Sequence, residues 1–157
     1  MDDLEHLQVH LKGKALILGI GNSLRSDDAF GSLLASRIKG KVPHIVYDAG
    51  PNPENYLGKI IKDKPDTVVI IDAVDFGGKP GEFRVLEADE LKTTNLFSTH
   101  NASISLTINY LQGNFKVDII ILILQPKSIV FGDGLSVEVE ESLNKLERWF
   151  GEQASKT

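Results

Sequence analysis

The fold class this sequence predicts is α/β, a three-layer α/β/α sandwich on a mostly parallel central sheet of about five strands. Three observations predict it. The runs Ala15-Leu16-Ile17-Leu18, Thr67-Val68-Val69-Ile70-Ile71 and 119–124 are apolar without alternation, as in strands buried on both faces. Between them lie segments with apolar residues at helical spacing. Alternating the two through right-handed crossovers puts helices on both sides of a parallel sheet.

Taken in order, residues 3–11 place Leu4, Leu7 and Leu11 at helical spacing and read as a short amphipathic helix. The strand at 15–18 leads into a loop, 19–26. Ser26 is suited to cap a helix whose first turn carries Asp27 and Asp28. That helix lines up Phe30, Leu33, Leu34 and Ile38 and stops at Gly40. A second strand, Ile45-Val46-Tyr47, ends at Asp48, and 53–62 reads as a second helix. The strand at 67–71 ends at Asp72. Gly77-Gly78-Lys79-Pro80-Gly81 is a turn, and Glu82-Phe83-Arg84-Val85-Leu86 alternates as an antiparallel edge strand does. A longer helix at 101–111, a buried strand at 119–124 and a last helix at 137–150 capped by Ser136 complete the pattern.

The chain has 157 residues, which suits one domain covering 1–157, with 1–13 as an N-terminal helical extension and 14–150 as the α/β core. A domain of this size buries roughly 68–70% of its unfolded surface and needs no staple. There are no cysteines, so disulfides, thiolate zinc sites and a cysteine nucleophile are excluded. This composition fits a reducing cytoplasm. The formal charge is −5, and no Lys/Arg stripe offers a nucleic-acid footprint. The start, Met1-Asp2-Asp3-Leu4-Glu5, is acidic where a signal peptide is basic. The apolar run 117–124 is interrupted by Asp118 and too short to span a bilayer.

In open parallel sheets, ligands bind beyond the C-terminal strand ends. The polar residues there are Asn22, Asp27 and Asp28 after the first strand, Asp48 after the second, and Asp72 with Asp75 after the third. Thr99, His100 and Asn101 precede the long helix. Carboxylates and an imidazole on one edge would suit a borderline divalent metal. Plainer roles compete. Asp28 could complement a helix dipole, and Asp48 could cap the turn at Gly50. Asp72 follows five apolar residues, so it is expected to be buried and must then be paired, hydrogen-bonded or metal-bound. Of the four histidines, His6, His10 and His44 read as solvated surface. No His-Glu-x-x-His pair, Gly-x-Ser-x-Gly elbow or P-loop is present. Gly19-Ile20-Gly21-Asn22-Ser23-Leu24 imitates a dinucleotide fingerprint but has Leu24 where the third glycine belongs.

Five strings, in order, resemble the hydrogenase maturation endopeptidases. They are 19–28 (Gly-Ile-Gly-Asn-Ser-Leu-Arg-Ser-Asp-Asp), Asp48-Ala49-Gly50 with Pro53-Glu54-Asn55, Ile71-Asp72-Ala73-Val74-Asp75 with Pro80-Gly81-Glu82, Ser98-Thr99-His100-Asn101, and Gln125-Pro126. The similarity runs from Ala15 to Phe150. Its Pro-Glu-Asn, Thr-His-Asn and Gln-Pro strings resemble most the branch that processes hydrogenase 3, the hydrogenase of formate hydrogenlyase.

The resemblance implies a phosphorylase/hydrolase-like fold and a nickel-dependent peptidase, aspartic-type by family assignment. It implies removal of a C-terminal extension from a nickel-iron hydrogenase large-subunit precursor after nickel insertion. Nickel arrives with the substrate. Carried over singly, the metal-contacting residues fall on Asp28, Asp72 and His100, and the catalytic carboxylates on Asp28 and Asp72. Asp48, Asp75, Asn22 and Asp27 are supporting candidates. The family often has glycine where this chain has Ser26 and Ala29, while Gly31 is kept, so both Asp27 and Asp28 stay open as the ligand. The implied partner is the nickel-loaded precursor, with no nucleic acid and no membrane insertion. The implied location is the cytoplasm, and a monomer is compatible. Two rival readings are a non-cleaving nickel-sensing chaperone and a nucleotide-binding α/β domain.

Overall fold

The computed structural model describes residues 2–93, 96–132 and 134–154. Met1 and residues 155–157, which the expected domain includes, lie outside them. The elements are α1 (Asp3–His10), β1 (Ala15–Gly19), α2 (Phe30–Ile38), β2 (Ile45–Asp48), α3 (Leu57–Asp63), β3 (Thr67–Ala73), β4 (Phe83–Glu87), α4 (Ala88–Thr93), α5 (Asn101–Asn114), β5 (Asp118–Leu124) and α6 (Val137–Ala154). The five strands form one sheet in the order β2-β1-β3-β5-β4. Strands β2, β1, β3 and β5 run parallel, and β4 closes the edge antiparallel to β5.

Strand periodicity explains the layers. Successive side chains point to opposite faces. Ile17, Val69, Ile71, Ile120 and Leu122 pack with Phe30 and Leu34 of α2, Leu143 and Phe150 of α6, and Leu7 of α1. Their neighbours Leu16, Leu18, Val68, Ile70, Ile119 and Ile121 pack with Ile60 of α3, Ala88 of α4, and Ile104, Ile108 and Leu111 of α5. Both faces of the sheet are therefore dry, which is why β1, β3 and most of β5 lack polar alternation.

Close packing depends on small residues. A Cβ on Gly31 would lie 2.2 Å from the carbonyl oxygens of both Ile20 and Ile71. Without a side chain there, α2 presses directly on β1 and β3. That approach brings the residues just before α2 next to the end of β3.

Several local expectations are corrected. Ser26 does not cap a helix. It opens a 3-10 turn, Ser26–Ala29, with φ +52, in the left-handed region that glycine adopts more readily. Its hydroxyl instead donates to the carbonyl of Val130 at 2.8 Å. The second helix begins as a 3-10 turn, Pro53–Tyr56, with Pro53 in its first turn, where its missing N–H costs nothing. Helix α4 was not foreseen, being too short to show a period. Asp72 lies inside β3, not after it. The helical segment before β1 packs against the sheet: Leu7 is fully buried, and Asp3 accepts the Val85 N–H at 3.0 Å. Nor are the other histidines all solvated. His10 bonds to Asp118, and burial lowers the pKa of His44. Among the described residues, no helix is long and apolar enough to cross a membrane.

Candidate metal centre

Strand β1 sends its chain through α2 on one face of the sheet, while β3 sends its chain to the opposite edge, β4, before α4 and α5 cover the other face. The crevice between such neighbouring strands is where open α/β sheets bind ligands. Asp28 comes from the 3-10 turn after β1, Asp72 from the end of β3, and His100 from the residue before α5. Asp72 shares the strand face of Val68 and Ile70, so it points towards α5 and meets His100. All three side chains are buried. His100 Nδ1 lies 3.3 Å from Asp72 Oδ1, and Nε2 lies 3.8 Å from Asp28 Oδ2. One ligand atom from each residue falls within 4.8 Å of the other two.

Two hydroxyls orient the carboxylates. Ser98 donates to Asp72, while its oxygen accepts the His100 N–H at 3.0 Å. Thr99 Oγ1 lies 3.0 and 3.1 Å from the two Asp28 oxygens. These roles for Ser98 and Thr99 had no signal beyond their place with His100 in the 98–101 string. Both residues share a tight turn whose other end is held by Asn101, which accepts the Ser98 N–H at 3.1 Å.

Asp27 and Asp28 are neighbours with opposite duties. Asp27 accepts the N–H groups of Lys127 at 2.8 Å, Ser128 at 3.2 Å and Ser136 at 2.7 Å, and the Ser136 hydroxyl at 2.9 Å. It ties the 3-10 turn to the β5–α6 connection through both carboxylate oxygens. Asp28 faces the crevice. The other candidates serve turns. Asp48 is exposed and accepts Gly50 N–H, the plainer role weighed for it. Asp75 is exposed and accepts Gly77 N–H and the Gln125 side-chain amide. Asn22 accepts Leu24 N–H. Gln125, of the fifth string, also accepts the N–H groups of Phe76 and Gly78, so it holds the loop after β3.

The electrostatics fit a cation. Burial pushes the Asp72 carboxyl up, against the opposing His100 and Ser98 contacts. Burial likewise raises Asp28, although His100, Thr99 and Arg25 favour its charged form. For His100, burial favours the neutral ring, but the Asp72 hydrogen bond and both carboxylate charges outweigh it and hold the pKa above the ordinary 6.5. Two buried carboxylates thus have one imidazole between them as compensation. A divalent ion bound there would supply the missing charge, and oxygen with imidazole nitrogen is the donor set a borderline metal takes.

These shifts have a sign. Each of the three groups binds protons more tightly folded than unfolded. Each therefore adds stability at low pH and loses it as pH rises through its folded value. The decline starts above the ordinary carboxylate value of 3.8 for Asp28 and Asp72, and above 6.5 for His100. In chelator, Asp72→Asn should melt progressively higher relative to the unsubstituted protein between pH 4.5 and 8. Thermal unfolding across that range checks it, and a difference that stays constant with pH contradicts it.

Fold and site together define a class, an α/β/α domain with a buried two-carboxylate, one-imidazole cluster at its switch point. Residues 30–150 match the family model described as HycI, hydrogenase maturation protease. The hydrogenase 3 maturation protease of Escherichia coli K12 is 32% identical over 145 residues, covering 87% of this chain and 90% of that protein. The crystal structure of the [NiFe] hydrogenase maturation protease HycI from Thermococcus kodakarensis KOD1 superposes with TM-score 0.84 at 36% identity, covering 96% of this chain and 99% of that one. The solution structure of the endopeptidase HycI from E. coli gives TM-score 0.74 at 25% identity, covering 89% and 90%. The chain belongs to the hydrogenase maturation protease family, and its expected fold class holds. Asp28 precedes the matched segment, while Asp72 and His100 lie within it.

Proposed function

We propose that this protein removes the C-terminal extension of a nickel-iron hydrogenase large-subunit precursor once nickel has been inserted, and that the bound nickel is its recognition element. The observation that carries this is the buried Asp28–Asp72–His100 cluster in a chain of this family. The nickel arrives on cysteines of the precursor. Asp28, Asp72 and His100 complete its coordination, which docks the scissile bond and makes cleavage wait for metal loading. A protein that receives metal this way needs no cysteine of its own.

The loops beside the cluster suit a peptide. Leu24, Val130 and Phe131 are exposed and apolar, and the Ser26 and Arg25 contacts to residues 129–132 hold their loops together. For bond cleavage, a substrate-held nickel can polarise the carbonyl or activate water. Asp28 and Asp72 are the carboxylates placed to share that work. Asp48 and Asp75, the supporting candidates, are engaged in their own turns.

Mass spectrometry of a precursor incubated with the protein, with and without nickel loading, tests the reading. Loss of a C-terminal peptide from the loaded form alone is the expected result. Cleavage of both forms would remove the metal gate. Binding without cleavage of several matched precursors would leave a chaperone.

A further inference from the structure

Among the described residues, one other group of side chains offers ligand atoms close enough together for a single cation: His6, His10 and Glu87. His6 and His10 are four residues apart in α1, so both rings lie on one helix face. Their centroids are 5.0 Å apart. Glu87 closes β4 beside them. Its Oε1 lies 3.6 Å from His10 Nε2 and 4.0 Å from His6 Nε2. The three ligand atoms lie within 4.8 Å of one another. An ion about 2.0–2.2 Å from each ligand can bridge such a gap after small side-chain rotations.

A second observation is independent of that spacing. Asp118, at the start of β5, is hydrogen-bonded to the other His10 nitrogen, Nδ1. A carboxylate accepting from Nδ1–H fixes the tautomer that leaves Nε2 bare. That lone pair is the one facing Glu87. Metal-bound histidines are commonly oriented in this way, by a carboxylate on the far nitrogen.

We infer that His6, His10 and Glu87 form a second metal site, oriented by Asp118, that takes Zn²⁺ or another borderline divalent ion and clips α1 to the sheet. Two imidazoles and one carboxylate are a zinc-type donor set that leaves a position for water. The side chains are 29%, 19% and 53% exposed, so an ion can enter from solvent. The site is separate from the candidate centre described above. Asp118 pairs with Thr67 at the start of the β3–β5 ladder, and Asp72 pairs with Ile123 near its end, roughly 16 Å along the strands. A metal here joins the N-terminal helix to β4, tightening an attachment that Leu7, the Asp3–Val85 hydrogen bond and the His10–Asp118 hydrogen bond already make.

The test uses the full chain, stripped with chelator and titrated with Zn²⁺ by calorimetry, with thermal unfolding in parallel. A His100→Ala background removes the first centre. One equivalent of zinc should bind, raising the melting temperature by about 5–10 °C at a hundredfold excess over Kd. His6→Gln with His10→Gln should lose both effects, and Asp118→Asn should weaken affinity about 10–100-fold while keeping the stoichiometry. If the double variant does not fold, Glu87→Gln, an exposed change, supplies the same comparison. No zinc uptake in the His100→Ala background, or uptake unchanged in these variants, would overturn the site and leave only ion pairs among these groups.

Discussion

Asp28→Asn, Asp72→Asn and His100→Ala are each expected to cut release of the C-terminal peptide from a nickel-loaded precursor by at least ~100-fold, with the protein still folded. The amides keep the shape of the carboxylates but lose the charge that holds a cation. The alanine removes the nitrogen donor. None of these changes should unfold the chain. Asp72 is a buried acid with incomplete compensation, and neutralising such a group is seldom destabilising when its hydrogen bonds can be kept. Ser98 can still donate to the amide oxygen of Asn. Processing followed by mass spectrometry, alongside thermal melts, separates the two effects. Full processing by all three variants would sink the metal-docking reading.

Asp27→Ala should act the other way, on stability first. It leaves the N–H groups of Lys127, Ser128 and Ser136 without their acceptor and frees the α6 cap residue. At about 1.5–3 kcal/mol for each hydrogen bond to a charged acceptor, and with incomplete additivity, the loss should be roughly 3–5 kcal/mol. That is a large share of a domain's usual ~5–15 kcal/mol. Urea unfolding should show a much lower midpoint with an unchanged slope. If Asp27→Ala is instead as stable as the unsubstituted chain but inactive, the two aspartates have been assigned in the wrong order.

This pair shows where the sequence stops. Two adjacent carboxylates at the start of a helix have the same composition, the same neighbours and the same expected dipole benefit. Their duties differ because successive residues of a 3-10 turn point in different directions. One reaches the β5–α6 connection, about a hundred residues later in the chain, and the other faces β3. Nothing local records that difference. Ser98 and Thr99 are similar, since a hydroxyl beside a histidine says nothing until the carboxylates it meets are in place. The histidines of α1 were read as solvated for the same reason: Glu87 and Asp118 are distant in sequence and arrive beside them only when β4 and β5 pair.

By itself the sequence determined the layered α/β architecture, the antiparallel edge, the family and the three residues offered as metal contacts. It could do so because burial on two faces removes all polar alternation from a strand, and because strand ends in a parallel sheet must share one edge. The tertiary structure alone decided which carboxylates turn inward, what holds them, and that α1 is a working part of the sheet's outer layer. Those outcomes depend on side-chain direction and on contacts between residues far apart in the chain, set by close approaches such as that of Gly31 to Ile20 and Ile71, and no local pattern encodes them.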